Sequence, residues 1–248
     1  MAALKLQFSV QKRETMLKEK FTLGDYDLEF EDHFKGIVLD EYLEKGWFRM
    51  GALMHTCDHF LKGKKKVPVY WLRYSVPQIT LGKKAKKIER INGDFDVEIK
   101  PYKIDTQLKS LYLKYYQHCR LDMHPNLEAS TNDPDRIVYD TYIIRIRHGR
   151  KLIAAGLFDV GKNSVAGIKN IYHPEYCKYS LGKCLMILTY RFCKVNNIEW
   201  YYPGYIVPGH PKFDYKLFLD PAATEMFLYD PAQWIKFDRL SILRSSEL

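Results

Sequence analysis

Ten basic side chains crowd residues 61–90: Lys62, Lys64, Lys65, Lys66, Arg73, Lys83, Lys84, Lys86, Lys87 and Arg90, against the single acid Glu89. The whole chain carries 39 Lys+Arg and 30 Asp+Glu, a formal net charge of +9, so the surplus lies entirely in this stretch. A concentrated cationic surface attracts polyanions by releasing their condensed counterions. A solvated lysine-rich loop is the plainer reading of the same residues. No acid/base dyad stands out beside it, and no CxxC motif occurs. The five cysteines (Cys57, Cys119, Cys177, Cys184 and Cys193) are odd in number, and three lie in or beside an apolar helical stretch, which suits reduced core thiols. The run His55-Thr56-Cys57-Asp58-His59 reads as a loop with too few thiolates for a four-cysteine site, so no metal is expected.

The elements that must position any chemistry are legible from periodicity. With 248 residues and 46% apolar composition, the chain can bury a sizeable core and is expected to fold as two units, an N-terminal region over 1–92 and a larger domain over 93–248. No apolar run is long enough to span a bilayer, and the first residues are charged too soon for a signal peptide. A soluble, cytoplasmic protein without a membrane partner is therefore expected. Glu41–Met54 reads as a helix running into a strand, Lys62–Lys66 as a loop, and VPVYWLRYSV as a strand. DFDVEIKPY alternates as a strand and IDTQLKSLYLKYYQHC has helical spacing. YDTYIIRIRH, KLIAAGLFDV and SVAGIKNIYH then read as three strands joined by His148-Gly149-Arg150 and Gly161-Lys162-Asn163. A helix from Leu181 to about Asn196 follows, with an apolar stripe of Leu181, Cys184, Leu185, Leu188, Phe192 and Val195, and then the strand IEWYYPGYI.

Strand, helix, connection, three-strand meander, helix, strand is similar to the core order of the GCN5-related acetyltransferase (GNAT) fold. The expected class is thus α+β: a GNAT-like mixed sheet flanked by helices, with a smaller N-terminal α+β region. In that fold the start of the second helix offers free backbone N–H groups to a cofactor's phosphates. Here the turn is Tyr179-Ser180-Leu181-Gly182-Lys183, with one glycine where acetyl-CoA users show an Arg/Gln-x-x-Gly-x-Gly/Ala pattern. That departure argues against acetyl-CoA as the donor. Ser180 also fits a simple helix cap.

Ser180-Leu181-Gly182, a helix, Tyr201-Tyr202-Pro203-Gly204-Tyr205-Ile206, Lys212, Tyr215-Lys216 and Pro221 follow one another in the order "SLG", helix, "YYxGYYI", "K-x-x-YK", proline. In this the chain resembles the C-terminal domain of arginyl-tRNA–protein transferases and their bacterial leucyl-transferring relatives. Gly156 with Asp159-Val160 and Tyr172-His173-Pro174 resemble the family's "GxxDV" and "FYDP"; Gly46-Trp47-Phe48-Arg49-Met50-Gly51 resembles "GFRRSG". Val67-Pro68-Val69 resembles "PVRV", and Lys86-Lys87-Ile88-Glu89-Arg90-Ile91-Asn92 the basic "RRxxRRN". The family's cysteine cluster before "PVRV" is reduced to Cys57, and the cysteine before its lysine is replaced by His210.

The resemblance implies an aminoacyltransferase that moves an amino acid, Arg favoured over Leu, from tRNA to the N-terminal α-amine of proteins starting with Asp or Glu, marking them for degradation. Aminoacyl-tRNA is then the donor substrate and no cofactor is implied. Aminolysis of an activated ester chiefly requires alignment and oxyanion stabilisation. An α-amine with a pKa of about 7.7–8 is partly neutral at physiological pH, so a strong base is not mandatory. On this reading Tyr202, Tyr205 and Tyr215 donate hydrogen bonds to the ester or its leaving oxygen. Ser180, Gly182, His210, Lys212 and Lys216 bind substrate, the two lysines pairing with the acceptor's carboxylate. Lys83, Lys84, Lys86, Lys87 and Arg90 bind the tRNA acceptor stem. Two alternatives stand beside it: a GNAT N-acyltransferase using an acyl-CoA, and a non-catalytic RNA- or degron-binding module.

Overall fold

The computed structural model describes residues 22–119, 124–133 and 135–238. Its N-terminal part contains the short strands β1 (Thr22–Leu23), β2 (Asp27–Glu29), β3 (Phe48–Met50), β4 (Leu53–Thr56), β5 (His59–Lys62) and β6 (Lys65–Pro68), with helix α1 (Ile37–Glu44) before β3. They form two three-stranded sheets, β1-β5-β6 and β2-β4-β3. The lysines at 62–66, expected as a loop, instead close the β5–β6 hairpin, whose turn needs Gly63 at φ +63°.

The remainder runs β7 (Tyr70–Ser75), α2 (Lys83–Ile91), β8 (Asp96–Pro101), α3 (Thr106–His118), α4 (Leu127–Thr131), β9 (Thr141–His148), β10 (Lys151–Val160), β11 (Ser164–Tyr172), α5 (Leu181–Val195), β12 (Trp200–Ile206), β13 (Thr224–Tyr229) and β14 (Ala232–Lys236). Eight strands pair in the order β14-β13-β7-β12-β11-β10-β9-β8. Every neighbouring pair is antiparallel except β11 with β12, which the α5 crossover makes parallel. The fold is α+β, a GNAT-like mixed sheet flanked by helices with a smaller N-terminal α+β region. The sheet takes β7 from before residue 92 and seats it between β12 and β13.

Strand β10 is apolar almost throughout because both of its faces are covered. Leu152, Ala155 and Leu157 pack under α3, and Ile153, Ala154 and Phe158 under α5. Helix α3 starts where the Asp105 carboxylate accepts from the Leu108 N–H and pairs with Arg145 at 2.6 Å. Helix α5 differs from the single apolar stripe expected of it. Val195 is 82% exposed, whereas Met186, Ile187, Tyr190 and Cys193 are buried. The cause is α2, whose Ala85 and Ile88 share a core cluster with α5 and so widen the face it must bury. The basic residues of α2 lie on its other side, all exposed.

A buried ion pair ties the β2-β4-β3 sheet to the large sheet. Arg49 of β3 reaches Asp159 of β10 at 2.8 Å and donates to Thr141 Oγ1 and the Thr131 carbonyl. Its guanidinium also lies over the Tyr139 ring, 4.0 Å from the centroid.

Candidate active site

Strands β11 and β12 are in register only over Ser164–Ala166 and Trp200–Tyr202, although β11 runs on to Tyr172 and β12 to Ile206. Beyond that point the sheet opens. On the other edge of β12 the pairing with β7 shifts between Tyr201 and Gly204, at Pro203, which has no N–H to contribute to a ladder. The opening is flanked by the start of α5 and by a 3-10 turn, Pro211–Leu217.

A cleft of about 360 Å³ occupies this place. Ser180, Leu181, Gly182 and Lys183 of the α5 start form one wall, and Lys212 and Tyr215 of the 3-10 turn face them. Asn170 and Tyr172 of β11, Tyr115 of α3 and Cys177 complete the lining. The Ser180 turn and the segment that carries Lys212 and Tyr215, some thirty residues later, therefore adjoin in the fold. Ser180 takes a left-handed conformation at φ +53° and its side chain makes no capping bond. Its carbonyl accepts from the Lys183 and Cys184 N–H groups. Asn92, at the end of α2, donates to the Tyr179 carbonyl at 3.0 Å and braces the turn from behind.

The structure separates residues that the sequence grouped. Tyr202 points away from the cleft into the core under the N-terminal sheets, where its ring meets Phe48 and Trp234 and its hydroxyl meets Arg73. Tyr205 packs among Phe60, Trp71 and Phe213 in the same core. Burial raises the pKa of both hydroxyls. His210 precedes the 3-10 turn and is not among the cleft-lining residues. Tyr215 alone of the three tyrosines reaches the cleft, and burial near Cys119 and Tyr172 pushes its hydroxyl up to about 12. Tyr115 and Tyr172, of which only Tyr172 stood in a family-like motif and neither was chosen as a site residue, meet at 5.1 Å between ring centroids and are shifted upward as well. As site residues they were hard to single out: tyrosines at a helix end and a strand end look like ordinary core residues until the strands are seen to part.

Lys216 is buried beneath the cleft rather than facing it. Its ammonium donates to the Tyr205 carbonyl at 2.9 Å and lies 4.2 Å from the Tyr205 ring centroid, near Phe213 and Tyr215 as well. A Cβ at Gly204 would stand 3.2 Å from Lys216 Cε, and φ at that residue is +103°, so glycine is required there. Burial lowers the Lys216 pKa to about 7, well under the usual lysine value of about 10.4. Between those two values the unfolded chain binds the extra proton, so this residue's contribution to stability rises with pH across that window. Urea midpoints of the wild type and Lys216→Met, measured at pH 6 and pH 9, are expected to shift in favour of the wild type at the higher pH. An unchanged difference refutes the buried placement.

Among the described residues no three His, Cys, Asp or Glu side chains gather as metal ligands. His55 instead contacts the Phe48 carbonyl through Nδ1, and His59 pairs with Asp58. No helix of the described residues is long and apolar enough to cross a membrane.

Residues 107–225 match the model of the arginine-tRNA-protein transferase C-terminus. An aspartate/glutamate leucyltransferase of Leptospira interrogans is 22% identical over 239 residues, covering 94% of this chain and 91% of that protein. One from a Shewanella species is 24% identical, covering 77% of this chain and 79% of its own length. Among solved structures, FemX superposes with a TM-score of 0.49 at 6% identity over 76% of this chain and 65% of its own. The structure of L-PGS from Bacillus licheniformis gives a TM-score of 0.39 at 10% identity, covering 54% of this chain and 46% of that one, so the chain spans less than half of its length. The family-model match covers the cleft-bearing half of the sheet, and the sequence likeness to the leucyltransferases extends over nearly the whole chain: this chain is similar to the aminoacyl-tRNA–protein transferases.

Proposed function

We propose that the protein transfers leucine from tRNA to the N-terminal amine of proteins beginning with Asp or Glu, and that the cleft at the β11–β12 opening is where ester and amine meet. The observation that supports this most is the joining of the α5 start and the Pro211–Leu217 turn across that opening. In the reaction the acceptor nitrogen bonds to the aminoacyl carbonyl carbon, the bond from that carbon to the ribose oxygen breaks, and the amine's proton passes to the leaving oxygen. Tyr215, protonated at physiological pH like any tyrosine and the more so for its raised pKa, would donate to the developing oxyanion or the leaving oxygen. Ser180 and Gly182 would hold the terminal nucleotide beside the helix start. Lys212 and Lys183, both on the cleft wall, give it a cationic rim. Lys216 would act from below by holding the turn that carries Tyr215.

Leucine replaces the arginine favoured from sequence alone for a physical reason. The residues lining the cleft include lysines but no Asp or Glu, whereas an arginyl side chain calls for a paired carboxylate. The names of the relatives point the same way. Labelled Leu-tRNA and Arg-tRNA, each incubated with a peptide beginning with Asp, test the proposal. Label from Leu-tRNA alone is expected on the peptide. Transfer from Arg-tRNA in preference refutes the choice of leucine, and transfer from neither refutes the function.

The exposed face of α2, with Lys83, Lys84, Lys86, Lys87 and Arg90, would contact tRNA phosphates with little sequence preference. Lys86→Glu/Lys87→Glu is expected to raise the KM for charged tRNA about 10-fold at 50 mM salt and to flatten the dependence of log KM on log salt by roughly two contacts' worth. A salt slope identical to the wild type would remove α2 from the tRNA interface.

A further inference from the structure

The two faces of the opened sheet are not alike. Asn170 of β11 lies on the α5 side, where a Cβ added at Gly156 would meet both Asn170 and Leu185. Lys169, its neighbour, lies on the α3 side, with Ile171. Tyr115 of α3 touches Tyr172 and lines the cleft, so the α3 helix borders the cleft at that end of the sheet.

Lys169 is half-buried there in an uncommon setting. Its ammonium donates to Ser130 Oγ at 3.0 Å and to the Tyr112 hydroxyl at 3.5 Å. Both hydroxyls spend their own hydrogens elsewhere, Ser130 on the Leu127 carbonyl and Tyr112 on the His124 carbonyl. They therefore turn lone pairs toward the ammonium, as suits a cation. An ammonium has three hydrogens to give, and these two bonds use two of them. Among the described residues no carboxylate pairs with Lys169. Burial lowers its pKa to about 8. A half-buried cation with hydroxyl partners and no carboxylate beside it among the described residues is well placed to take an anion from a ligand.

We infer that Lys169, seated on Ser130 and Tyr112, is the residue that recognises the acidic side chain at the acceptor's N-terminus, with the acceptor entering from the α3 side and the charged tRNA end from the α5 side. The assignment rests on the acidic-acceptor reading above and moves the role first given to Lys212 and Lys216 to a residue that no motif picked out. Lys216 spends its ammonium on the Tyr205 carbonyl. Lys212 stands on the cleft rim, on the 3-10 turn across from the α5 start.

The test compares peptides beginning with Asp and with Asn, charged Leu-tRNA as donor, and kcat/KM as readout. The wild type is expected to prefer Asp by about 100-fold, in line with a desolvated charge pair. In Lys169→Met that ratio should fall to within about threefold of unity, while transfer to the Asn peptide persists. Lys169→Arg should retain a preference for Asp. Ser130→Asp, which hands Lys169 a carboxylate within the protein and leaves the lysine in place, should reduce the ratio at least 10-fold. A wild type that does not distinguish Asp from Asn overturns the acidic-acceptor reading and this assignment with it. A discriminating wild type whose ratio survives in both Lys169→Met and Ser130→Asp overturns the assignment alone.

Discussion

Replacing Arg49 by methionine is expected to lower the unfolding free energy by about 3–5 kcal/mol, the usual cost of stranding one partner of a buried ion pair. Asp159 is fully buried, and its Oδ2 has no hydrogen-bond partner among the described residues, so Arg49 and Thr141 carry the stabilisation of its charge through Oδ1. Arg49 further satisfies the carbonyls of Thr131 and Gly51. For a chain of this size the loss corresponds to a melting temperature lower by roughly 10 °C. Two further results would identify the mechanism. Burial already raises the Asp159 pKa, with Arg49 pulling the other way, so loss of Arg49 raises it again. A carboxyl whose folded pKa exceeds its unfolded value destabilises the fold as pH rises between the two. The deficit of Arg49→Met should therefore narrow as pH falls from 7 toward about 4. Adding Asp159→Leu should recover part of the loss, because no unpaired charge then remains. Thermal and urea unfolding of the single and double variants measure both effects. A deficit below about 1 kcal/mol would mean that the attachment of the β2-β4-β3 sheet does not depend on this pair.

Tyr215→Phe is expected to reduce kcat for aminoacyl transfer by about 100-fold, the scale for removing one oxyanion or leaving-group donor, with the KM for charged tRNA changing by less than about threefold. Packing should survive, since the ring stays and its edge is partly exposed. Tyr202→Phe is the internal contrast. Its hydroxyl meets Arg73 in the core and not the cleft, so its effect should appear in stability, at about 1 kcal/mol, and hardly in kcat. If Tyr202→Phe lost kcat and Tyr215→Phe did not, the reacting ester would have to lie on the other face of β12.

These contrasts mark where sequence and tertiary structure divide the work. Local pattern determined β8 through β12 with α3 and α5, because period-2 and period-3.6 apolar spacing needs only near neighbours. It also determined that Ser180-Leu181-Gly182 opens a helix and that the positive charge collects around Lys83–Arg90, exposed on α2 because Ala85 and Ile88 turn inward. Alternation along β12 could not tell which of its tyrosines faces which core. The register shift at Pro203–Gly204 intervenes, and it exists only because β7, some 130 residues earlier, pairs there. The second burial face of α5 was likewise hidden, since it depends on the docking of α2. The setting of Lys169 was hidden too: a lysine in a strand resembles any solvated lysine until α3 and α4 close Tyr112 and Ser130 over it. What chain-distant packing brings together, and above all the parting of β11 from β12, was decided by the folded structure. Those contacts join residues far apart in sequence, and no local spacing encodes them.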